Sequence, residues 1–333
     1  MAVVLRRHGL IDRSSVTLER LTGGQSNPTY RLTAGDRSYV LRRKPDGALL
    51  PSAHAVDREY RVMRALAETD VPVPRVHLYS DDASVVGTPF YVMDFLDGRV
   101  LTDQSLPGMA PSERRAIYAE MNRVLAALHR VDPAAVGLGD FGRTGNYFAR
   151  QIDRWTRQYR QSRTEDIPAM ERLAAWLPAH VPPSGRVAVV HGDYRLDNLV
   201  FHRDEPRAIG LLDWELSTLG DPLADLSYHC LSWHIPPALW RGIAGLGLPT
   251  LGIPDERTYL GWYSEATGTP VPERWNFYLA YNLFRLAAIL QGVAKRALDG
   301  NAASADAVEN GRKARPIAEL GWRYAREEGR GTT

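Results

Sequence analysis

Cysteine is nearly absent from this 333-residue chain. Cys230 stands alone, which excludes an internal disulfide and a cysteine-cluster zinc site and fits a reducing compartment. A surplus of one charge is also missing: 41 Lys and Arg face 39 Asp and Glu, a formal net charge of +2, and the arginines are spread along the chain. Nothing in that distribution marks a nucleic-acid partner. No apolar run approaches the length of a membrane-spanning helix, and residues 1–10 lack the apolar core of a secretory signal, so the expectation is a cytoplasmic protein without a membrane partner. Solenoid-period repeats and low-complexity tracts are absent as well. What remains is ordinary globular composition, 44% apolar and 24% charged, with enough chain for two lobes.

The densest signal lies in residues 189–225. His191, Asp193 and Asn198 stand in the spacing H-x-D-x-x-x-x-N, and Asp213 closes a second apolar run downstream. Moving a phosphoryl group to a hydroxyl needs positioned charge more than covalent help. A carboxylate accepts the hydroxyl proton, and Asp193 fits that part. Mg²⁺ takes oxygen ligands, usually one or two carboxylates beside the nucleotide phosphates, and Asn198 and Asp213 supply an amide oxygen and a carboxylate. The runs 187–190 and 208–212 are short, rich in Val, Ile and Leu, and bounded by Gly or charge, which predicts buried strands with the ligands at their ends. The plainer alternative is a hydrogen-bonded turn, since Asp and Asn are ordinary turn formers.

The first hundred residues read as strands with one helix. Residues 16–21, 29–33 and 38–42 carry β-branched and aromatic side chains, with a hairpin turn at 34–37. Val56, Tyr60, Met63 and Leu66 form a helical stripe with Glu59 beside it. Two more strands follow at 75–79 and 89–94, and residues 96–99 read as a hinge. Beyond it, Pro111 opens a helix, Asn146 is placed to cap another, and helices are expected through 221–231, 273–298 and 302–326. The expected division is 1–96, a nucleotide-binding lobe with its hinge strand, and 97–333, a helical lobe with the catalytic loop and acceptor site. The fold class is α+β, a two-lobe protein kinase-like plan with a small antiparallel-sheet N-lobe and a mainly helical C-lobe.

These motifs resemble the aminoglycoside phosphotransferase and choline kinase superfamily. The segments 23–27, 39–42, 90–94, 191–198 and 212–215 look most like the kinase-like domain that some acyl-CoA dehydrogenases carry. The resemblance implies Asp193 as catalytic base, Asn198 and Asp213 as metal ligands, and a flap over the phosphates that includes Gly23, Gly24 and Ser26. It also implies Arg42 as the phosphate-binding cation paired with Glu59, and Asp94 and Leu96 as the hinge positions holding adenine. ATP, with GTP as the other donor, Mg²⁺ and a small-molecule hydroxyl acceptor follow from it; the oligomeric state does not.

Two departures qualify the likeness. Arginine stands where the family's strand carries lysine; strand alternation favours Arg42 or Lys44 over Arg43. Residues 213–215 read D-W-E where protein kinases have D-F-G, so metal binding is retained without their loop switch. Asp221 reads as a helix cap with Pro222 in the first turn, Asp225 as structural, and Asp197 as a loop hydrogen-bonder rather than a ligand.

For the acceptor, residues 101–333 hold 27 basic and 27 acidic residues, the totals of 41 and 39 less the 14 and 12 in the first hundred. No acidic lobe awaits a polycationic aminoglycoside. Arg150, Arg154, Arg157 and Arg160 fall near one helical face, either simply solvated or an anion-binding rim suited to a coenzyme A-linked acceptor. Aminoglycoside or amino-alcohol kinases, a nucleotide-binding module without catalysis, and a metal-dependent hydrolase are the competing readings.

Overall fold

The computed structural model describes residues 1–12, 15–21, 27–46, 55–183, 185–299 and 307–328. The chain folds into two compact units. One comprises Met1–Leu101, Val131–Gly139 and Arg195–Ser217; the other comprises Thr102–Arg130, Asp140–Tyr194 and Thr218–Thr333. The expected break at 96/97 is therefore incomplete. The first unit runs on to Leu101 and takes back Arg195–Ser217, because Leu199–Phe201 in that segment pairs with Arg99–Val100.

The first unit is built on a five-stranded antiparallel sheet of β1 (Val16–Arg20), β2 (Thr29–Ala34), β3 (Arg37–Arg43), β4 (Val76–Ser80) and β5 (Phe90–Asp94), in the order β1-β2-β3-β5-β4. A two-residue turn joins β2 to β3, with Gly35 at φ 59°. That left-handed conformation suits a glycine in a tight hairpin. The register sets Arg42 opposite Thr29 on one side and Tyr91 on the other. Leu32, Leu41, Leu78, Phe90 and Val92 form a small core with Leu5 of the N-terminal helix Ala2–Arg7.

The helix Val56–Leu66 buries Val56, Glu59, Val62, Met63 and Leu66. Its buried stripe runs through Glu59 itself, and Tyr60, expected at the centre, is only half-buried. The segment Leu199–Phe201 pairs antiparallel with Ala208–Leu211, and the Leu211 amide donates to the Pro72 carbonyl at 2.7 Å. A Cβ on Gly210 would overlap the tip of the Leu96 side chain, which would have to shift.

The second unit is mostly helical. Its central helix, Trp275–Leu298, meets helices Tyr147–Ser162, Pro168–Ala179, Pro222–Cys230, Ala307–Arg312 and Ala314–Glu328. By length and composition it is apolar enough to cross a membrane, contrary to the expectation that no run qualifies. Yet 83% of its apolar window is buried inside the protein, which is how a core helix behaves. Helix Tyr147–Ser162 turns Phe148, Ile152, Trp155 and Tyr159 toward that core. Their steps of four, three and four residues make one face, and each buried large side chain stabilises by about 1.5–3 kcal/mol.

Asn146 sits at the N-cap of this helix with φ 47°, but its side chain makes no capping bond. Asp221 does cap, accepting from the Leu223 amide at 2.9 Å, with Pro222 in the first turn as expected. The expected single helix at 302–326 is two, Ala307–Arg312 and Ala314–Glu328, and 300–306 fall outside the described residues.

Candidate functional site

In the first unit, β3 delivers Arg42 to a cluster of carboxylates. Its Nε lies 3.0 Å from Glu59 Oε2, and its Nη2 lies 3.0 Å from Asp213 Oδ1 and 3.8 Å from Glu215 Oε2. Glu59 is held further by the Asn27 side-chain amide at 2.8 Å and the Tyr91 hydroxyl at 3.0 Å, both donating. Burial raises the Glu59 pKa, opposed by Arg42. Burial also works against the charge on Arg42, but Glu59, Tyr91, Asp213 and Glu215 together raise its pKa above the ordinary arginine value. The pair is thus a buried ion pair in which Asn27 and Tyr91 meet the Glu59 oxygens, while Arg42 Nε lies close to Glu59 without hydrogen-bond geometry among the described residues.

Alternation along β3 turns the next residue the other way. Arg43 bonds the Asp46 carboxylate at 2.8 Å and Thr88. Lys44 lies just past the strand end, its carbonyl accepting from Thr88 at 2.8 Å. Of the basic residues proposed for the phosphates, Arg42 is the one on the carboxylate cluster.

Asp213 follows Ala208–Leu211 with φ 65°, one of three described non-glycine residues with positive φ. This left-handed kink starts the 3₁₀ turn Trp214–Leu216, anchored by the buried Trp214 indole donating to the Leu211 carbonyl at 2.9 Å. Asn198 ends another 3₁₀ turn, Leu196–Asn198, and its carbonyl accepts from the Leu212 amide at 2.8 Å. The backbone therefore ties Asn198 to the residue that precedes Asp213. The amide and carboxylate oxygens of Asn198 and Asp213 are of the kind that suits Mg²⁺. Asp197 pairs with Arg195 at 3.5 Å, in line with its reading as a loop residue.

At the hinge positions, the Asp94 amide donates to the Arg75 carbonyl at 2.9 Å and its carboxylate takes the His77 Nε2 at 2.5 Å. Leu96 is half-buried beside Gly210. Gly23, Gly24 and Ser26 of the expected flap lie outside the described residues.

The second unit holds Asp193. Strand Ala188–Val190 delivers the chain to His191, which is fully buried, and Gly192 at φ 83° turns it. The amides of His191 and Gly192 both donate to the Asp225 carboxylate, at 2.5 and 2.8 Å. Burial disfavours charge on Asp225, yet hydrogen bonding and attraction from His129 hold its pKa below the ordinary carboxylate value. The Asp193 amide donates to His191 Nδ1 at 3.2 Å, and Asp193 Oδ1 accepts from the Tyr228 hydroxyl at 2.7 Å. On the other side of the loop, the buried Arg285 guanidinium donates to the Gly192 carbonyl.

Three of these residues were not singled out for the site. Asp225 is structural as expected, but the structure it holds is the loop carrying Asp193. Tyr228 carried no signal beyond standing three residues after Asp225 on the same helix. Arg285 did carry one, being the only charged residue from 275 to 294, a buried charge that needs a reason.

The arginines of this series stay at the surface and have neighbours within their own unit. Arg150 donates to the carbonyls of Arg143 and Thr144, Arg157 pairs with Asp153 at 2.7 Å, and Arg160 pairs with Glu171 at 3.3 Å. Arg154 lies over the Trp155 ring.

Residues 17–248 match the phosphotransferase enzyme family designated APH. Over 308 residues the chain is 51% identical to acyl-CoA dehydrogenase family member 10 of Mus musculus, covering 92% of the chain and 29% of that protein. Over 317 residues it is 43% identical to acyl-CoA dehydrogenase family member 11 of Rattus norvegicus, covering 94% and 41%. The chain thus spans less than half the length of these curated relatives. A Ralstonia eutropha JMP134 crystal structure assigned to the aminoglycoside phosphotransferases shares 54% identity at a TM-score of 0.89, covering 98% and 97% of the two chains. A thermostable mutant of aminoglycoside phosphotransferase APH(4)-Ia, in a ternary complex with AMP-PNP and hygromycin B, matches at a TM-score of 0.64 over 97% of each chain. At 17% identity it shares the fold.

Proposed function

The chain belongs to the phosphotransferase enzyme family, and from that membership we propose that it transfers the γ-phosphoryl group of ATP to the hydroxyl of an acyl chain carried on coenzyme A. The observation that carries the kinase reading is the junction of Arg42 with Glu59 and with Asp213, a residue 171 positions away. A strand cation, a helix glutamate and a strand-end aspartate brought together are the parts that hold nucleotide phosphates in this chemistry. Arg42 contacts the phosphates, and Glu59 keeps its guanidinium in place. Asn198 and Asp213 would hold Mg²⁺, which when bound supplies positive charge against the phosphate oxygens. Asp193 takes the proton of the acceptor hydroxyl as its oxygen attacks phosphorus. Asp94 and Leu96 lie along the adenine, and Gly23, Gly24 and Ser26 belong to the loop over the phosphates. GTP is the competing donor. The enzyme works in the cytoplasm, without a nucleic-acid or membrane partner.

Support for the acceptor comes from relatives named as acyl-CoA dehydrogenases, matched over 92–94% of this chain. The even balance of charge after residue 100 gives a polycation no acidic surface in its composition. The arginines at 150, 154, 157 and 160 add no support, being engaged within the chain.

The test is a screen of Mg²⁺-dependent ATP turnover across hydroxyacyl-CoA compounds, amino alcohols and aminoglycosides, with Asp193→Asn in parallel. Turnover is expected on a hydroxyacyl-CoA. It should fall roughly 100- to 10,000-fold in the variant, the range a positioned base contributes, while ATP affinity holds. A kcat/KM for kanamycin equal to that for the hydroxyacyl-CoA would refute the acceptor reading, and unchanged turnover in Asp193→Asn would remove Asp193 from the chemistry.

A further inference from the structure

The loop that carries Asp193 is gripped at three points by two helices of its own unit. Asp225 accepts the amides of His191 and Gly192. Three residues along the same helix, Tyr228 reaches the Asp193 carboxylate at 2.7 Å. From helix Trp275–Leu298, Arg285 takes the carbonyl of Gly192, the residue whose left-handed conformation turns the chain toward Asp193. The Arg285 guanidinium also lies 4.8 Å from the Tyr228 ring centre and 5.5 Å from that of Trp155. Arg285 is 6% exposed and Tyr228 9%. Both are buried, and both reach the loop; Tyr147 and Tyr281 also lie near the Arg285 charge.

Accepting that Asp193 is the base, we propose that Tyr228, seated by Arg285, is its positioning residue, fixing the rotation of the carboxylate and setting its basicity. The physical reason lies in the direction of the bond. A tyrosine hydroxyl donating to a carboxylate favours the ionised form, so Asp193 stays ready to accept a proton at lower pH than it otherwise would. The same bond holds one oxygen in place and stops the carboxylate turning about Cβ–Cγ, the kind of orientation that near-attack geometry requires. Arg285 contributes twice. Its charge attracts Asp193, and its planar face lies on the Tyr228 ring, which an ammonium group would not reproduce. Among the described residues, the titratable and charged groups facing Asp193 include Tyr228, Arg285 and, within its own loop, His191, with Tyr147 and Tyr281 in turn beside Arg285.

Tyr228→Phe is the decisive variant, since it removes one oxygen and keeps the ring that Arg285 covers. Carboxyl ¹³C titration of protein labelled at aspartate follows Asp193 directly, with its signal assigned by loss in Asp193→Asn; neither measurement needs an acceptor. In Tyr228→Phe that signal should titrate about one unit higher, the shift a charge-assisted hydrogen bond is worth. The acid limb of Mg-ATP turnover should move the same way, with kcat reduced about tenfold and the ATP KM within twofold. Arg285→Lys should move the limb in the same direction, and adding it to Tyr228→Phe should change little more, because the two act through one contact. An unmoved Asp193 titration in Tyr228→Phe, with Asp193→Asn inactive, overturns the positioning role alone. Full turnover in Asp193→Asn overturns the base assignment and this proposal with it.

Discussion

His229 and Asp225 lie four residues apart on one helix and meet opposite surroundings. His229 stands among the rings of Tyr194, Trp233 and Tyr259, and its Nε2 finds no hydrogen-bond partner among the described residues. Burial alone pushes its pKa from 6.5 down to about 3. A histidine buried neutral binds its proton more readily in the unfolded chain. Its contribution is therefore complete above about pH 6.5 and is lost as pH falls toward 3. At pH 4.5 the loss is about 2–3 kcal/mol. Asp225, held below the ordinary carboxylate range, contributes above about pH 4 and loses that contribution only below it. Thermal melts should show stability declining already between pH 6.5 and 4.5 in the wild type. His229→Leu should lose most of the decline that the wild type shows across that window. A variant melting curve that tracks the wild type through pH 5 would show that His229 is not the group responsible.

Among the elements, the loops that end short helices are where backbone conformation rather than side-chain burial sets the constraint. Gly252 closes Leu248–Leu251 at φ 77°, and a Cβ there would overlap the carbonyl of Pro111. Gly245 has the same left-handed conformation, at φ 84°, but open space around its Cβ position. Gly245→Ala should cost only the conformational penalty, about 1–2 kcal/mol. Gly252→Ala adds the displacement of backbone at the start of helix Pro111–Arg130, bringing the total to about 2–5 kcal/mol. Chemical denaturation of the two variants separates strain from overlap, and equal losses would show that Pro111 moves aside without cost. The strands of the sheet are legible because alternation and turn residues act locally, as the Gly35 hairpin illustrates. Helix Trp275–Leu298 is harder to read, since its apolar residues go all the way round; whether such a helix meets lipid or other helices depends on what packs against it.

For the whole molecule, nucleotide binding should register as stability. A ligand that binds only the folded state at 100 times its Kd stabilises by about 2.7 kcal/mol, which raises the melting temperature by several degrees in a domain of this size. With saturating ATP, adding Mg²⁺ should raise the melting temperature of the wild type, and chelation should reverse the rise. Asp213→Ala should lose the Mg²⁺-dependent part, whereas Asp193→Asn should keep it. An equal Mg²⁺ response in wild type and Asp213→Ala would count against Asp213 as a metal ligand. The two units interleave along the chain, with Asp193 in one and Asn198 five residues later in the other. A boundary drawn along the sequence at 96/97 could not express that, because the strand pairing that returns Arg195–Ser217 to the first unit joins residues about a hundred positions apart.

The sequence by itself determined the chemistry on offer and the local frames that present it. The spacing of His191, Asp193 and Asn198 lies within one loop, Asp213 ends its strand, and alternation along β3 separates Arg42 from Arg43; each depends on neighbours a few residues away. Which partners those groups meet was decided only by the tertiary structure. Arg42 meets Asp213 across 171 residues, Arg285 meets Gly192 across 93, and Tyr228 meets Asp193 across 35. Of the arginines read as a charged face, Arg157 meets Asp153 four residues away on its own helix, whereas Arg160 meets Glu171 of the next helix only once the two helices pack. Periodicity and spacing act over a few residues of backbone, while a buried charge or hydroxyl takes its partner from whatever element the folded core brings beside it.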